Sequence, residues 1–166
     1  MKIEEFTDNI LKISNEQIER LKETISKYNE IIILGNGGSS AIASHISQDY
    51  TKKLGKRSFC FSDPSRLTCY INDYGMEEAY KVFLENFSSK NSLVVLISSS
   101  GESKNIINCA KFCVQKNISY IILTGFEKDN HLRKNYANNS ILDFWVNSKD
   151  YGVVECIHQT FLHIPA

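Results

Sequence analysis

The sequence has no excess of charge of either sign. Nineteen Lys and Arg side chains balance nineteen Asp and Glu side chains over 166 residues, so the formal net charge is zero. A protein that coats nucleic acid usually carries a net positive surface, which this composition does not indicate. No apolar run is long enough to span a membrane, and residues 1–10 carry acids where a signal peptide needs bases. We therefore expect a cytoplasmic protein that binds neither nucleic acid nor a membrane.

The cysteines and prolines of the sequence indicate neither a disulfide framework nor a division into domains. The five cysteines are odd in number and contain no Cys-x-x-Cys pair, which argues against a disulfide framework and against a zinc ribbon. We expect them to act as small apolar core residues in a reducing compartment. Only two prolines interrupt the chain, and it has neither a low-complexity linker nor an internal repeat. The whole range 1–166 is therefore predicted to be one domain.

Apolar periodicity predicts alternating helices and strands. The predicted helices cover 3–28 with a break at a capping box beginning at Ser14, then 41–53, a short helix after 63–65, 77–87, 105–116 and 151–164. The predicted strands cover 30–34, 57–62, 93–97, 120–123 and 141–146. Strands with continuous apolar runs are typical of a parallel sheet that is buried on both faces. This pattern predicts an α/β fold, a three-layer sandwich around a five-stranded parallel sheet with a leading N-terminal helix.

Two loops of unusual composition follow the predicted strands. The first, Gly35-Asn36-Gly37-Gly38-Ser39-Ser40, opens a helix, and the second, Ser98-Ser99-Ser100-Gly101-Glu102-Ser103, opens another. Glycines allow close backbone approach, and the amides at a helix N-terminus favour an anion. Because ligands of parallel sheets bind beyond the carboxyl ends of the strands, we expect the two loops to grip one phosphate together. The alternative is that both loops are only turns with helix caps.

Two other phosphate motifs match poorly. A Walker loop needs a lysine after its glycines, and the first loop has none. The dinucleotide fingerprint is met at Gly35 and Gly37 but has Ser40 at its third position, with Asp63 as a weak candidate for the ribose-binding acid. An NAD-dependent enzyme is therefore the poorer alternative, and no nucleotide cofactor is expected.

The two loops together resemble the sugar isomerase (SIS) domain, and within it the phosphoheptose isomerases. The resemblance extends over nearly the whole chain and includes the segments 71–75, Ile-Asn-Asp-Tyr-Gly, and 123–125, Leu-Thr-Gly. It implies a flavodoxin-like fold. It also implies an aldose–ketose isomerase that converts sedoheptulose 7-phosphate to D-glycero-manno-heptose 7-phosphate. The product would supply heptose for surface polysaccharide, meaning lipopolysaccharide or capsule.

The resemblance also implies roles for individual residues. Substrate-binding positions are Asn36, Gly37, Gly38, Asn72, Asp73, Ser98, Ser99, Ser100 and Ser103. Catalytic positions are Asp49, Glu155 and His163, and one zinc ion per site would be held by His45, Asp49, Glu155 and His163. Family members assemble as tetramers, so the resemblance implies that the helical segment 1–28 mediates assembly and that His163 and Asp49 come from different chains.

The predicted site departs from the family at two acidic positions. Asp49 stands where the family has a longer glutamate, and Glu155 stands where it has a neutral glutamine. Isomerisation through an enediol needs a base for the carbon-bound proton and an acid for the carbonyl oxygen. The two carboxylates could have exchanged the role of base, or the chain could be a non-catalytic phosphosugar-binding or assembly module. Without the loops, a local ion pair between His45 and Asp49 would be the simpler interpretation.

Overall fold

The computed structural model describes all residues 1–166 and contains five strands and eight α-helices. The strands are β1 (Glu30–Gly35), β2 (Arg57–Cys60), β3 (Ser92–Ser98), β4 (Ser119–Thr124) and β5 (Leu142–Trp145). The helices are α1 (Ile3–Ile10), α2 (Asn15–Lys27), α3 (Gly38–Leu54), α4 (Pro64–Tyr74), α5 (Met76–Phe87), α6 (Lys104–Lys116), α7 (His131–Tyr136) and α8 (Tyr151–His163). None of the helices combines the length and the hydropathy that crossing a bilayer requires.

The strands form one parallel sheet in the order β2-β1-β3-β4-β5. This is the flavodoxin-like order, as predicted from the resemblance. The chain passes from β1 to β2 on one side and then returns to β3 on the other side of β1. At such a reversal the loops after the two central strands diverge to opposite faces and leave a crevice between them. The loops after β1 and β3 are the two that the sequence marks as phosphate-binding.

The three central strands, β1, β3 and β4, bury both of their faces, so the sheet divides the core into two clusters. Alternate residues of β1 show the division, since Ile31 and Ile33 pack against α2, α3 and α8, whereas Ile32 and Leu34 pack against α5 and α6. All four of these side chains are at most 1% exposed. The three-layer sandwich predicted from continuous apolar strands is therefore confirmed, and it fixes α3 and α8 side by side on one face.

The predicted break in the leading helix is confirmed. Ser14 accepts a hydrogen bond from the Gln17 amide at 3.2 Å, and the Gln17 side chain accepts one from the Ser14 amide at 3.0 Å. This reciprocal capping box satisfies two amide groups that a helix start would otherwise leave unpaired. Helix α1 is thereby separated from α2 and packs against α8.

Apart from shifts of one or two residues at the ends of other elements, the structure differs from the predicted elements at three places. Helix α3 begins at Gly38 rather than 41, because the glycine-rich loop itself turns into the helix. Helix α4 runs the full length from Pro64 to Tyr74, although only a short helix was predicted. Helix α7 was not predicted at all, because its six residues, mostly polar, are too short to show a periodicity.

The cysteines confirm the core prediction only in part. All five are free, and Cys109 and Cys113 are buried on α6 as expected. Cys69 and Cys156 are exposed, so the prediction is wrong for these two. They lie on the solvent faces of α4 and α8, where the helical pattern alone does not distinguish a small apolar residue from a polar one.

His158 is a structural residue of the core rather than a member of the site. It is fully buried, and its Nε2 lies 3.0 Å from the carbonyl oxygen of Thr124, so that Nε2 donates the hydrogen bond. Burial lowers the pKa of His158 to about 4. The ring is therefore neutral at physiological pH, and its one donor ties α8 to the end of β4.

Candidate active site

The glycine loop after β1 and the serine loop after β3 line one cavity of about 280 Å³. The cavity is bounded by Asn36, Gly37, Gly38, Ser39, Ile97, Ser98, Ser99, Ser100, Ser103, Tyr151 and Glu155. The hydroxyls and amides are neutral donors, and no lysine or arginine is among the lining residues. Both loops thus face the same hollow at the carboxyl edge of the sheet, as the phosphate hypothesis requires.

The glycine loop presents the amino end of α3 to this cavity. Gly37 has a positive φ of 52°, a conformation that glycine adopts without strain, and it is the residue before the first turn of the helix. No side chain caps α3. The first amides of a helix without a cap are left for a ligand, and the helix dipole favours a negative one.

The serine loop is held in shape by its own hydroxyls and by its neighbours. The Ser98 hydroxyl accepts from the Gly101 amide at 3.2 Å, and the Ser100 hydroxyl accepts from the Glu102 amide at 3.2 Å. The Ser99 carbonyl accepts from the Gly125 amide at 2.9 Å. Ser103 precedes α6 without capping it. The loop therefore offers hydroxyls and uncapped amides on a rigid backbone.

Replacement of Gly101 by alanine should destabilise the protein strongly. Gly101 has φ +70°, and an added Cβ would lie 2.0 Å from Oδ1 of Asn130, which is itself buried. Strain of 1–2 kcal/mol for the left-handed backbone and disruption of the Asn130 hydrogen bonds together give an expected loss of about 3 kcal/mol, measured by urea unfolding.

Gly55→Ala is the matched control for this variant. Gly55 has φ +65°, but an added Cβ would meet nothing within 4 Å. It should therefore lose only the strain, about 1 kcal/mol. Equal losses in the two variants would contradict the close packing of the serine loop against Asn130.

A reciprocal pair of side-chain amides joins the glycine loop to the helix that follows the serine loop. The sequence analysis predicted Asn36 as a site residue but not Asn105. Asn36 Nδ2 donates to Asn105 Oδ1 at 2.9 Å, and Asn105 Nδ2 donates to Asn36 Oδ1 at 2.8 Å. Asn105 is 4% exposed and lies in the first turn of α6. The pair fixes the separation of the loops. The only sequence signal was an amide side chain two residues after Ser103, which is too common to single out.

His45, Asp49 and His163 form a second group on the adjacent helices α3 and α8. The two Nε2 atoms are 3.0 Å apart, and Asp49 Oδ2 lies 3.9 Å from His45 Nε2 and 3.5 Å from His163 Nε2. These three residues could hold a metal ion, since one ligand atom from each lies within 4.8 Å of the others. Two imidazoles and a carboxylate are a donor set that suits zinc.

His163 is oriented by a backbone contact. Its Nδ1 lies 2.8 Å from the carbonyl oxygen of Gln159, so Nδ1 carries the proton and donates the hydrogen bond. In the neutral ring, Nε2 then has a free lone pair that points toward Asp49 and His45. Histidines that bind metals are commonly oriented in this way. His163 is not a core residue, because its side chain is 34% exposed.

Asp49 carries a firmly ionised carboxylate. Lys53 donates to Asp49 Oδ2 at 3.0 Å, and this hydrogen bond holds the pKa of Asp49 below its usual range. The charge of Lys53 and those of the two histidines act in the same direction. Asp49 is therefore a weak proton acceptor that stabilises positive charge on its neighbours.

Glu155 lies apart from the metal-binding group, contrary to its predicted place as a ligand. Its carboxylate lines the cavity against Gly38, where an added Cβ would be 2.2 Å from Oε2. The eight residues from Glu155 to His163 correspond to about 12 Å of helix rise, which explains the separation. Burial raises the pKa of Glu155, so this carboxylate is a better proton acceptor than Asp49.

Two predicted substrate residues lie outside the cavity. Asn72 and Asp73 are exposed near the end of α4, where Asn72 Nδ2 donates to Asp73 Oδ1 at 3.0 Å. Neither residue lines the cavity.

His163 and Asp49 were expected to come from different chains. This expectation is wrong, because α3 and α8 of one chain bring these two residues into contact.

The chain is similar in sequence to phosphoheptose isomerases. No family profile matches the sequence. The phosphoheptose isomerase of Fusobacterium nucleatum is 29% identical over 151 residues, covering 88% of this chain and 75% of the relative. That of Buchnera aphidicola is 32% identical over 129 residues, covering 70% of this chain and 66% of the relative. The chain spans 58% of the length of two further relatives of the same name.

A solved structure shows the same fold. The phosphoheptose isomerase of Neisseria gonorrhoeae superposes with a TM-score of 0.81 at 24% identity, over 95% of this chain and 88% of that one. A likeness of this extent shows that the two chains share a fold. Sequence relatives and fold thus agree, and the chain belongs to the sugar isomerase (SIS) family, in its phosphoheptose isomerase branch.

Proposed function

We propose that this chain is an aldose–ketose isomerase that interconverts sedoheptulose 7-phosphate and D-glycero-manno-heptose 7-phosphate. The observation that carries the proposal is the cavity shared by the two loops, with Glu155 on its wall and the histidine group on the same two helices. The reaction would take place in the cytoplasm and supply heptose for surface polysaccharide.

The phosphate is bound by neutral donors in this proposal. Ser98, Ser99, Ser100 and Ser103 supply hydroxyls, and the uncapped starts of α3 and α6 supply amides. Amides and helix dipoles bind an anion without a paired cation. Asn36, joined to Asn105, holds the glycine loop at the right distance.

The proton moves between adjacent carbons by way of an enediol. Glu155 removes the carbon-bound proton, and His163 serves the carbonyl oxygen with Nε2, since its Nδ1 is held by Gln159. Asp49 stabilises the imidazolium that forms when His163 takes a proton. If zinc were held by His45, Asp49 and His163, Nε2 of His163 would be a ligand, and the metal would polarise the carbonyl group in place of the His163 proton. The side chains of Glu155 and His163 must together bridge the roughly 12 Å of helix rise between them.

The wider assembly is proposed from the same family relationship. Residues 1–166 act as a single SIS domain, and the segment 1–28 mediates a tetramer. Two exposed apolar side chains support this role. Ile3, the first residue of α1, is 66% exposed, and Leu11, directly after α1, is 77% exposed. Asn72 and Asp73, exposed near the end of α4, could reach substrate only in such an assembly.

Incubation of the purified protein with sedoheptulose 7-phosphate in deuterium oxide tests the proposed activity. We expect NMR spectroscopy to show the aldose product, with deuterium at carbon 2 because the abstracted proton exchanges with solvent. Binding of the sugar phosphate without product or exchange would identify a non-catalytic SIS module instead.

A further inference from the structure

A pair of aromatic side chains stands at the rim of the cavity, and no part of the proposed chemistry uses it. Tyr151 is the first residue of α8 and lines the cavity one helical turn before Glu155. Its ring is packed edge-on against Phe126, with the centroids 4.8 Å apart and the planes at 66°. Tyr151 is 57% exposed, and its hydroxyl makes no hydrogen bond within the chain. More than half of this residue is therefore left uncovered beside the cavity.

Phe126, the partner of Tyr151 in this contact, has an unusual backbone conformation. Its φ is +53°, and the only other non-glycine residue with a positive φ is Asn117, at the end of α6. An aromatic residue in the left-handed region is strained, and such strain persists only where neighbours enforce it. Here the Phe126 amide donates to the Ser148 carbonyl at 2.9 Å, and the preceding Gly125 amide donates to Ser99 in the serine loop. The ring is thus fixed relative to the phosphate-binding loop.

Tyr151 is the one large apolar surface that a ligand in this cavity can reach. The other apolar lining residue, Ile97, is fully buried, and the remaining lining residues are glycine or polar. A phosphorylated sugar combines a polar phosphate with a carbon chain that bears C–H groups, and an aromatic ring packs well against such groups. The loops suit the first part of this ligand, and the ring suits the second.

We propose that Tyr151 is a specificity-determining residue whose ring packs against the carbon chain of the bound sugar phosphate, with Phe126 as its positioning residue. This inference rests on the proposed phosphosugar ligand. The ring discriminates a sugar phosphate from inorganic phosphate, whereas the two loops bind the phosphoryl group of both. Tyr151 therefore contributes to KM and to substrate affinity, and kcat changes little when the ring is removed.

Calorimetric titration of wild-type, Tyr151→Ala, Tyr151→Phe and Phe126→Gly proteins with sedoheptulose 7-phosphate and with inorganic phosphate tests this role. We expect Tyr151→Ala to weaken sugar phosphate binding about tenfold, or roughly 1.4 kcal/mol, and to change phosphate binding less than twofold. Tyr151→Phe should restore the affinity for the sugar phosphate. Phe126→Gly keeps a backbone that accepts positive φ but removes the support, so it should weaken sugar phosphate binding about threefold.

Three results of these titrations would overturn the inference about Tyr151. Sugar phosphate binding that is unchanged in Tyr151→Ala, or weakened equally for both ligands, overturns the inference. A Tyr151→Phe variant as weak as Tyr151→Ala also overturns it, because the hydroxyl and not the ring would then be responsible. Because the ratio of the affinities for sugar phosphate and inorganic phosphate is compared between variants whether or not the sugar is isomerised, a protein that binds through Tyr151 but produces no aldose refutes only the isomerase proposal. If the protein isomerises sedoheptulose 7-phosphate with a KM that does not depend on Tyr151, only the inference about Tyr151 is refuted.

Discussion

Replacement of His163 by glutamine should lower kcat for the heptose phosphate isomerisation about a thousandfold and leave the affinity for inorganic phosphate unchanged. Loss of a positioned acid–base group typically costs a factor of a hundred to ten thousand. The phosphate-binding loops lie at the amino ends of α3 and α6, whereas His163 is the last residue of α8. Steady-state assays give kcat, and calorimetric titration gives the phosphate affinity.

His131→Gln is the matched control for this variant. His131 is exposed at the start of α7, and its hydrogen bonds to the side chains of Glu102 and Asn135 are made by its backbone and not by its ring. It should therefore keep wild-type activity. The metal content of the His163→Gln protein, measured after dialysis against zinc, should also fall, because His163 supplies one of three clustered ligand atoms. Wild-type kcat in the His163→Gln protein would refute the assignment of His163.

The fold was predictable because its strands carry a strong local signal. The apolar runs at β1 and β3 allow only a doubly covered sheet, and the two polar loops mark its carboxyl edge. The family resemblance pointed to the residues that form the site on α3, and the four-residue spacing of His45 and Asp49 places them on one helix face. Their contact with His163 depends on how α8 packs beside α3, which local patterns do not encode.

The remaining parts of the site arise from tertiary contacts between ordinary residues. Asn105 has no distinctive sequence context, and only the fold places its amide opposite Asn36. The Phe126–Tyr151 pair joins the loop after β4 to the first residue of α8, 25 positions further along the sequence, and the positive φ of Phe126 has no local cause. The position of Glu155 also follows from packing, because the glycine at 38 leaves the space that its carboxylate fills.

Replacement of Glu155 by glutamine should lower kcat at least a hundredfold, and adding Asp49→Glu should restore much of it. Glu155 is the only carboxylate that lines the cavity, and burial raises its pKa. Asp49 is a weaker proton acceptor because Lys53 holds its pKa low, and its side chain is one methylene shorter than that of glutamate. The double variant recreates the glutamate and glutamine of the family at these two positions, so the longer residue 49 can then reach the reacting carbon.

The pH dependence distinguishes a base from a residue that only binds. A base must be ionised to accept the proton, so kcat/KM should rise as the pH passes upward through the pKa of Glu155. Because burial raises this pKa, the acidic limb of the wild-type profile should lie above the usual range of a glutamate. In the double variant the limb should move to lower pH, since residue 49 keeps Lys53 beside it. A full wild-type rate in Glu155→Gln alone, with the acidic limb unmoved, would assign the base to Asp49 and leave Glu155 as a wall of the phosphate cavity.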